Sequence, residues 1–389
     1  MQLTAQASLP DDGTSGVLAA RVWRPDVDGP CVVALRGDDV IDVTRTFPTM
    51  RDLCETTNPA SALKEARGER IGSVSELFAN TSLEARNPSQ PWLLAPVDLQ
   101  VIKAAGVTFA VSMLERVIEE KARGNPAAAA EIRKEIVGLV GDDLSKLKPG
   151  SPQAMALKEV LIAQGAWSQY LEVGIGPDAE IFTKAPPMAA VGTGADAGLH
   201  PASSWNNPEP EVVLAVNSRG EIVGATLGND VNLRDVEGRS ALLLGKAKDN
   251  NASASIGPCL RFFDTTFSLD DVRQTTISLK VTGDDGFILD GFSSLSQISR
   301  DPLDLVAQMI GPHHQYPDGA MLFLGCMFAP VKDRDTVGGG FTHKDGDIVT
   351  ISAPHLGTLI NRMKRTDVCP PWTFGTSHLM RNLAKRGLL

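Results

Sequence analysis

Two apolar, β-branched runs with a short polar turn between them constrain this 389-residue chain more than any other feature. The runs occupy residues 212–216 and 221–227, and the sequence Asn-Ser-Arg-Gly at 217–220 separates them. Runs of this length and composition around a glycine-containing turn predict a β-hairpin. We expect the chemistry of the chain to be concentrated around this hairpin, within residues 200–258.

Three carboxylates lie at the open end of the predicted hairpin. Glu209 and Glu211 are two residues apart, so both side chains should point to the same side of the first strand. Folding the hairpin places residue 209 roughly opposite 228–229 and brings Asp230 beside the glutamates. Like charges this close repel unless they are protonated or neutralised, and oxygen ligands suit Mg²⁺, Mn²⁺ or Ca²⁺. The alternative on spacing alone is a pair of solvated glutamates on an exposed hairpin.

Composition restricts the class of protein and its partners. The chain is 42 % hydrophobic and 22 % charged, as in ordinary globular proteins, and its length favours two domains over one. A net charge of −10 argues against nonspecific nucleic-acid binding, which relies on a basic surface. An anionic substrate would therefore need cations within its site.

Cysteine usage and the absence of long apolar runs indicate a compartment. The five cysteines are odd in number and include no C-x-x-C pair, which indicates neither a disulfide framework nor a zinc site. The first residues lack a basic segment followed by an apolar run, and no stretch approaches about 18 apolar residues. We therefore expect a cytosolic, cytoplasmic enzyme with no membrane partner.

The central stretch resembles the fumarylacetoacetate hydrolase family. The family's E-x-E and following apolar strand look like PEPEVVLAV at 208–216, and its N-D-x-x-x-R-D segment looks like residues 229–235. Farther along, residues 318–325, Gly346-Asp347 and residues 355–363 are similar to the family's closing strands. The resemblance covers roughly residues 100 to 365.

The resemblance implies a particular architecture and assembly. It implies an α+β, β-rich fold in which residues 99–389 form a fumarylacetoacetate-hydrolase-like β-roll catalytic domain. A helical insertion at about 112–165 would form a lid or a dimer contact, and residues 1–98 would form a small N-terminal domain. The family's habit further implies a homodimer or a higher homo-oligomer.

The resemblance also assigns site residues. It implies that Glu209, Glu211 and Asp230 bind Mg²⁺, with Mn²⁺ as the alternative. Lys248 stands ten residues before Pro258, as the family's lysine stands before its Gly-Pro, and Lys246 competes for that role.

Three further residues are expected to bind substrate. Lys184 lies in an F-x-K-x-P segment, although a lysine in a surface loop is the alternative. Arg234 belongs to the N-D-x-x-x-R-D segment. Cys326 stands where the family has the threonine of a G-T motif, and we expect no catalytic thiol there.

Three carboxylates leave several positions of a six-coordinate cation open, which suits chelation by the carboxylate and ketone oxygens of a 2-keto acid. The cation and Lys248 would together stabilise the enolate that forms when C3 loses a proton. Acylpyruvate hydrolysis, keto-diacid decarboxylation and dehydration of a 2-keto-3-deoxy sugar acid all share this first step.

Residues 106–115 discriminate among these reactions, because they are similar to the family's G-x-N-Y-x-x-H-x-x-E segment. Ser112 stands at the histidine position, and a hydroxyl is a poor general base for water. Glu115 is kept and could move protons, unless it is an exposed helix residue in series with Glu119. We therefore expect metal-dependent dehydration of a 2-keto-3-deoxy-D-pentonate (arabinonate or xylonate) to 2,5-dioxopentanoate.

Two alternatives to this reaction stay open. The first is an acylpyruvate or fumarylacetoacetate-type C–C hydrolase. The second is a ligand-binding homologue without catalysis, which the retained carboxylates disfavour. The adjacent His313 and His314 lie in a predicted loop, where a surface role is the expectation.

Overall fold

The computed structural model describes residues 1–109, 113, 117, 147–165, 167–326, 328, 330, 332–336 and 340–389. Within these ranges no helix is both long and apolar enough to cross a membrane. The α-helices are α1 (Ala5–Ser8), α2 (Met50–Cys54), α3 (Pro59–Glu65), α4 (Val74–Ala79), α5 (Pro152–Ala163), α6 (Gln169–Ile175), α7 (Arg234–Glu237), α8 (Leu244–Lys248), α9 (Leu269–Gln274), α10 (Pro302–Met309) and α11 (Thr376–Lys385). Short 3₁₀ turns occupy Pro25–Val27, Ala241–Leu243 and Leu295–Gln297.

An eleven-stranded sheet organises the molecule. Its strands are β1 (Leu18–Arg24), β2 (Gly29–Arg36), β3 (Asp39–Asp42), β4 (Glu69–Ser73), β5 (Trp92–Leu94), β6 (Val101–Gly106), β7 (Glu180–Ala185), β10 (Pro210–Val216), β11 (Ile222–Asp230), β13 (Ala254–Phe262) and β16 (Ala320–Phe323). Their order is β4-β3-β2-β1-β13-β11-β10-β16-β6-β7, with β5 paired to β1. The β10–β11 hairpin predicted from the sequence is confirmed and lies inside this sheet.

Two smaller sheets complete the fold. A five-stranded sheet comprises β8 (Asp196–Leu199), β14 (Thr276–Thr282), β15 (Ile288–Ser294), β17 (Ile348–Ala353) and β18 (Gly357–Arg365), in the order β15-β14-β17-β18-β8. A two-stranded sheet pairs β9 (Asn206–Asn207) with β12 (Asn232–Leu233). The short β9–β12 pair lies beside the hairpin in the chain and forms part of the site described below.

The hairpin is covered on both faces, which explains its continuous apolar sequence. Val212 and Leu214 pack in one core cluster, whereas Val213 and Ala215 pack in another. All seven residues of β10 are buried. A strand that is buried on both faces reads as an unbroken hydrophobic run rather than as an alternating one.

The N-terminal strands belong to the same sheet as the hairpin. Strand β1 pairs antiparallel with β13, with Leu18 opposite Arg261 and Ala19 opposite Leu260. The amide of Phe262 also donates to the carbonyl of Val17 at 3.0 Å. The sheet is therefore continuous across residue 98, and the boundary placed there stays a prediction.

Two helix starts follow from capping sequences. Ser151 accepts a hydrogen bond from the Ala154 amide at the start of α5, and Asp301 accepts one from Leu303 at the start of α10. In both helices a proline at the first turn follows the cap, where its missing N–H is not needed. Much of the expected helical insertion at about 112–165 lies outside the described residues, so its role as a lid stays a prediction.

Candidate metal centre

The register of the hairpin places its acidic residues opposite one another. Glu211 pairs with Gly228 and Pro210 pairs with Asn229. The amide of Asp230 donates to the carbonyl of Glu209 at 3.0 Å, so these two residues lie opposite each other. The predicted partner of residue 209, at 228–229, was therefore wrong by one to two positions. The correct register puts all three carboxylates on one face of the sheet.

The three carboxylates form a compact, buried cluster. Glu209, Glu211 and Asp230 are 5 %, 1 % and 1 % exposed, and each offers an oxygen within 4.8 Å of the others. They are therefore not the solvated pair that spacing alone allowed. Gly228 belongs to the same face, and a Cβ there would come within 2.3 Å of Phe323. That position accepts no side chain without displacing its neighbours.

Lys248 holds two of the carboxylates. Its ammonium lies 2.9 Å from Asp230 Oδ2 and also contacts Glu209 Oε2. The residue ends helix α8 and is 3 % exposed, whereas Lys246 is exposed on the same short helix. The structure thus brings Lys248, rather than Lys246, to the carboxylate cluster.

Lys184 is buried and contacts the other carboxylate oxygen of Asp230 from the one that Lys248 contacts. Its Nζ lies 2.8 Å from Asp230 Oδ1 and donates to the Val231 carbonyl at 3.0 Å. A further hydrogen bond runs to the carbonyl of Lys248, and Lys184 is 0 % exposed. With a third hydrogen bond of 3.5 Å to Ser253 Oγ, these acceptors match the three hydrogens of an ammonium group, and Asp230 Oδ1 is an ion-pair partner. A direct role for Lys184 in substrate binding stays a prediction.

Glu211 is oriented by a backbone amide. Its Oε2 accepts a hydrogen bond of 2.7 Å from Gly325, which has a φ of +96°. Burial, followed by the charges of Asp230 and Glu209, raises the pKa of Glu211 well above its usual value. The positive charge of Lys248 and the Gly325 amide therefore do not offset the effects of burial and of the two neighbouring carboxylates on Glu211.

The pKa values of Asp230, Lys248 and Lys184 are shifted by burial and by their mutual charges. Burial opposes ionisation of Asp230, but Lys184 and Lys248 outweigh it and lower the pKa of that carboxyl. Burial also opposes the charge on Lys248, yet Asp230 and Glu209 outweigh it and raise its pKa well above normal. Burial lowers the pKa of Lys184, against the attraction of Asp230.

The charge balance and ligand chemistry fit a divalent cation. Three carboxylates and two ammonium groups, when ionised, leave a net charge of −1 in a buried space. A divalent cation would change this to +1, which suits a singly charged anion. Carboxylate oxygens are the ligands that Mg²⁺ and Mn²⁺ prefer.

Two asparagines, Asn207 and Asn232, lie next to the cluster, and the motifs recognised in the sequence do not include them. Asn232 Nδ2 donates to Glu209 Oε1 at 3.0 Å and to Glu237 Oε2 at 2.5 Å. Asn207 lies directly opposite Asn232 in the β9–β12 pair. Asn207 precedes the E-x-E segment by two residues, and Asn232 follows Asp230 by two. This polar flanking was the available sequence signal.

Arg234 and Cys326 lie in the surrounding segments. The Arg234 guanidinium stacks 4.5 Å from the ring centre of Trp205 and is 8 % exposed. Burial, followed by the charges of Glu209 and Glu211, raises the pKa of the Cys326 thiol well above normal. This thiol is thereby disfavoured as a nucleophile, as expected. Substrate binding by either residue stays a prediction.

The remaining residues singled out in the sequence are not part of the described cluster. Ser112 and Glu115 lie outside the described residues. His313 and His314 are both exposed. Among the described residues, the Glu209, Glu211 and Asp230 triad is the acidic cluster with metal-binding spacing.

No protein-family model matches the chain, but curated relatives do. The chain is 33 % identical over 192 residues to a probable 2-keto-3-deoxyxylonate dehydratase of Haloferax volcanii, covering 49 % of this chain and 62 % of the relative. It is 31 % identical over 189 residues to 2-dehydro-3-deoxy-D-arabinonate dehydratase of Saccharolobus solfataricus, covering 48 % of this chain and 59 % of the relative. The matches thus span less than two thirds of either relative.

Solved structures with a similar fold include one with a ligand. A 2-keto-3-deoxy-D-arabinonate dehydratase complexed with magnesium and 2,5-dioxopentanoate has a TM-score of 0.61 and 21 % identity, covering 90 % of this chain and 99 % of that chain. A 5-carboxymethyl-2-hydroxymuconate delta-isomerase from Mycobacterium smegmatis has a TM-score of 0.52 and 18 % identity, covering 90 % and 98 %. These likenesses confirm the α+β fold of the fumarylacetoacetate hydrolase type.

The two curated relatives show that the chain shares ancestry, and not only a fold, with known proteins. The chain is homologous to proteins named as dehydratases of 2-keto-3-deoxy sugar acids. The resemblance recognised in the sequence is thereby confirmed.

Proposed function

We propose that the chain is a metal-dependent hydro-lyase that converts a 2-keto-3-deoxy-D-pentonate into 2,5-dioxopentanoate. The observation that carries the proposal is the buried cluster of Glu209, Glu211 and Asp230, with Lys248 against two of its carboxylates. The names of the curated relatives support the same reaction, as does the neighbouring structure that contains magnesium and 2,5-dioxopentanoate.

The substrate names of the two relatives describe one compound in the D series. Arabinonate and xylonate differ at C2 and C3, and a 2-keto-3-deoxy acid has a ketone at C2 and a methylene at C3. C4 is then the remaining stereocentre. The stereochemical question for this chain is therefore D against L at C4, rather than arabinonate against xylonate.

Glu209, Glu211 and Asp230 would hold Mg²⁺, with Mn²⁺ as the alternative. When bound, the cation supplies positive charge that binds the carboxylate and 2-keto oxygens of the substrate and makes the C3 hydrogens acidic. Lys248 would donate a hydrogen bond to the oxygen that gains negative charge as C3 loses a proton.

The reaction is an elimination followed by an isomerisation. A proton leaves C3 and hydroxide leaves C4, which forms a C3–C4 double bond and one molecule of water. A proton is then removed from C5 and one is added to C3, which leaves an enol at C4 and C5. The enol hydroxyl loses its proton, C4 gains one, and C5 becomes an aldehyde. Glu115 would protonate the departing hydroxyl.

We further propose that the enzyme works in the cytosol as a homodimer or higher homo-oligomer. All five cysteines are free, which suits a reducing compartment. The homo-oligomer is what the resemblance implied, and light scattering on the purified chain tests it.

The decisive experiment is a substrate panel with product identification by mass spectrometry. The Mg²⁺-loaded protein is incubated with D- and L-2-keto-3-deoxypentonate and with acylpyruvates. We expect loss of one water from the D-pentonate, formation of 2,5-dioxopentanoate, and no reaction after chelation of the metal. Cleavage of acylpyruvates without dehydration of any sugar acid would instead establish the C–C hydrolase.

A further inference from the structure

Two buried amide oxygens beside the metal centre lack a hydrogen-bond donor. They are Oδ1 of Asn207 and Oδ1 of Asn232, and the two residues are 3 % and 0 % exposed. Within the described part of the chain, neither oxygen has a partner. Because a buried acceptor without a donor is costly, such a pair indicates a place where a ligand or water supplies hydrogens.

The two amides share one side of a strand pair. Asn207 lies directly opposite Asn232 across β9 and β12. Directly opposed residues of an antiparallel pair project to the same face, with Cβ atoms about 4.5–5.5 Å apart. The two oxygens therefore belong to one small polar patch rather than to separate sites.

The hydrogen bonds of the amide nitrogens fix which atom is the oxygen. Asn232 Nδ2 donates to Glu209 and Glu237, and Asn207 Nδ2 donates to the carbonyl of Pro208 at 2.9 Å. Turning either amide around would place its oxygen against another acceptor. The open atoms are therefore acceptors, which either a hydrogen-bond donor or a cation can satisfy.

The patch is joined directly to the proposed cation site. The amide of Asn232 donates to Glu209 Oε1, and the other oxygen of Glu209 contacts Lys248. A substrate that binds at the carboxylate cluster would therefore extend past the asparagine oxygens. The identity of the group that meets them depends on which substrate groups can donate.

The proposed substrate has one suitable group. Its carboxylate and ketone oxygens carry no hydrogen, and its C4 hydroxyl leaves as water and needs a proton rather than an acceptor. The C5 hydroxyl keeps its hydrogen through the elimination. We propose that the C5 hydroxyl shares its one hydrogen between Oδ1 of Asn207 and Oδ1 of Asn232 in a three-centre hydrogen bond, and that this contact determines specificity for hydroxylated keto acids. This inference rests on the proposed function.

The same contact would distinguish substrate from product. In 2,5-dioxopentanoate C5 is an aldehyde, which has no hydrogen to donate. The two asparagine oxygens would lose their partner when the final isomerisation is complete. The patch therefore favours binding of the substrate over retention of the product.

The test compares two substrates in one protein. The first is 4,5-dihydroxy-2-oxopentanoate with the D configuration at C4, and the second is 4-hydroxy-2-oxopentanoate of the same spatial arrangement, which lacks the C5 hydroxyl. Water loss is followed by mass, and the ratio of the two kcat/KM values is recorded. We expect the native chain to prefer the dihydroxy acid by about tenfold or more, because a lost donor leaves buried acceptors unpaired.

The ratio is then measured in Asn207→Val, which removes the amide at similar volume. Because both substrates are tested on the same preparation, any loss of folded protein or of metal cancels from the ratio. We expect the preference to fall to within about threefold, mainly through slower turnover of the dihydroxy acid. Asn232→Ala should reduce the preference for the dihydroxy acid by a similar factor. It should also lower metal affinity, because Asn232 contacts Glu209.

The outcomes separate this inference from the proposed function. Dehydration of both acids at equal efficiency by the native chain would refute the inference and leave the function intact. So would an undiminished preference in Asn207→Val. Failure of the native chain to dehydrate either acid would instead remove the proposed function itself.

Discussion

The ammonium of Lys248 lies 2.9 Å from Asp230 and also contacts Glu209. A cation that belongs to the protein thus occupies the same carboxylates to which we assign a divalent metal. Lys248 and the metal would compete for these oxygens, and binding of the metal would free the ammonium to act on substrate. Removal of the Lys248 ammonium should therefore raise metal affinity and lower turnover.

Lys248→Met should bind Mg²⁺ more tightly and turn over more slowly. Removing the ammonium changes the net charge of the ionised cluster from −1 to −2 and removes the competitor. Loss of one preorganised donor should lower kcat by roughly 10²-fold or more. Calorimetry and steady-state kinetics measure the two effects. The matched control is Lys246→Met, because Lys246 is exposed on the same helix. A damaging effect of the control alone would transfer the role to Lys246.

Glu211→Gln should abolish metal binding without unfolding the chain. Glutamine keeps the shape and an oxygen that can accept from the Gly325 amide, but it removes the charge that a cation needs. We expect Mg²⁺ affinity to fall by orders of magnitude, and Mn²⁺ binding followed by electron paramagnetic resonance provides a second measurement. In the absence of metal, the Tm of the variant should equal or exceed that of the native chain, because the variant lacks a poorly neutralised buried carboxylate. Unchanged metal affinity and activity would refute the ligand assignment.

Lys184→Met should lower stability, and Mg²⁺ should partly restore it. The variant removes one partner of a buried ion pair with Asp230, which typically costs about 3–5 kcal/mol. A divalent cation on Asp230 would supply some of the missing charge. Thermal melting with and without Mg²⁺ should therefore show a larger metal-induced increase in Tm for the variant than for the native chain. Equal increases would show that Lys184 and the metal do not share Asp230.

Glu115→Gln should abolish dehydration and leave metal binding nearly intact. The amide keeps the shape of the side chain but cannot release a proton to the departing hydroxyl. Exchange of the C3 hydrogens in heavy water, followed by nuclear magnetic resonance, separates the two halves of the reaction. Persistence of exchange would assign Glu115 to hydroxyl departure alone. Dehydration at the native rate would exclude the residue from the mechanism.

Local sequence patterns predicted the parts of the site that depend on neighbouring residues. Alternation along one strand placed Glu209 and Glu211 on the same side, and a hairpin is short enough for its turn to bring Asp230 near them. The register was wrong because the turn extends one residue further than expected, with Val216 opposite Ile222, and because a β-bulge between Ala215 and Val216 shifts the pairing by one more residue. The three carboxylates still converge, because the true register places Asp230 directly opposite Glu209.

The parts that depend on distant pairings were not available from such patterns. Asn207 and Asn232 meet through strands of only two residues each, which have no detectable periodicity. The burial of Lys184 depends on Asp230, Val231 and the carbonyl of Lys248, which come from two other segments. Propensity and spacing describe neighbours in the chain, whereas these contacts are set by tertiary packing.

Truncation of the chain near residue 99 would remove β1, the strand that pairs with β13. Strand β13 lies between β1 and β11, and β11 carries Asp230. A shortened chain beginning near residue 99 would expose the backbone donors and acceptors of β13 around Leu260 and Arg261, which β1 covers in the whole chain. Such an open edge recruits strands from other molecules. The isolated C-terminal portion should therefore precipitate during expression, although it would contain every carboxylate of the cluster.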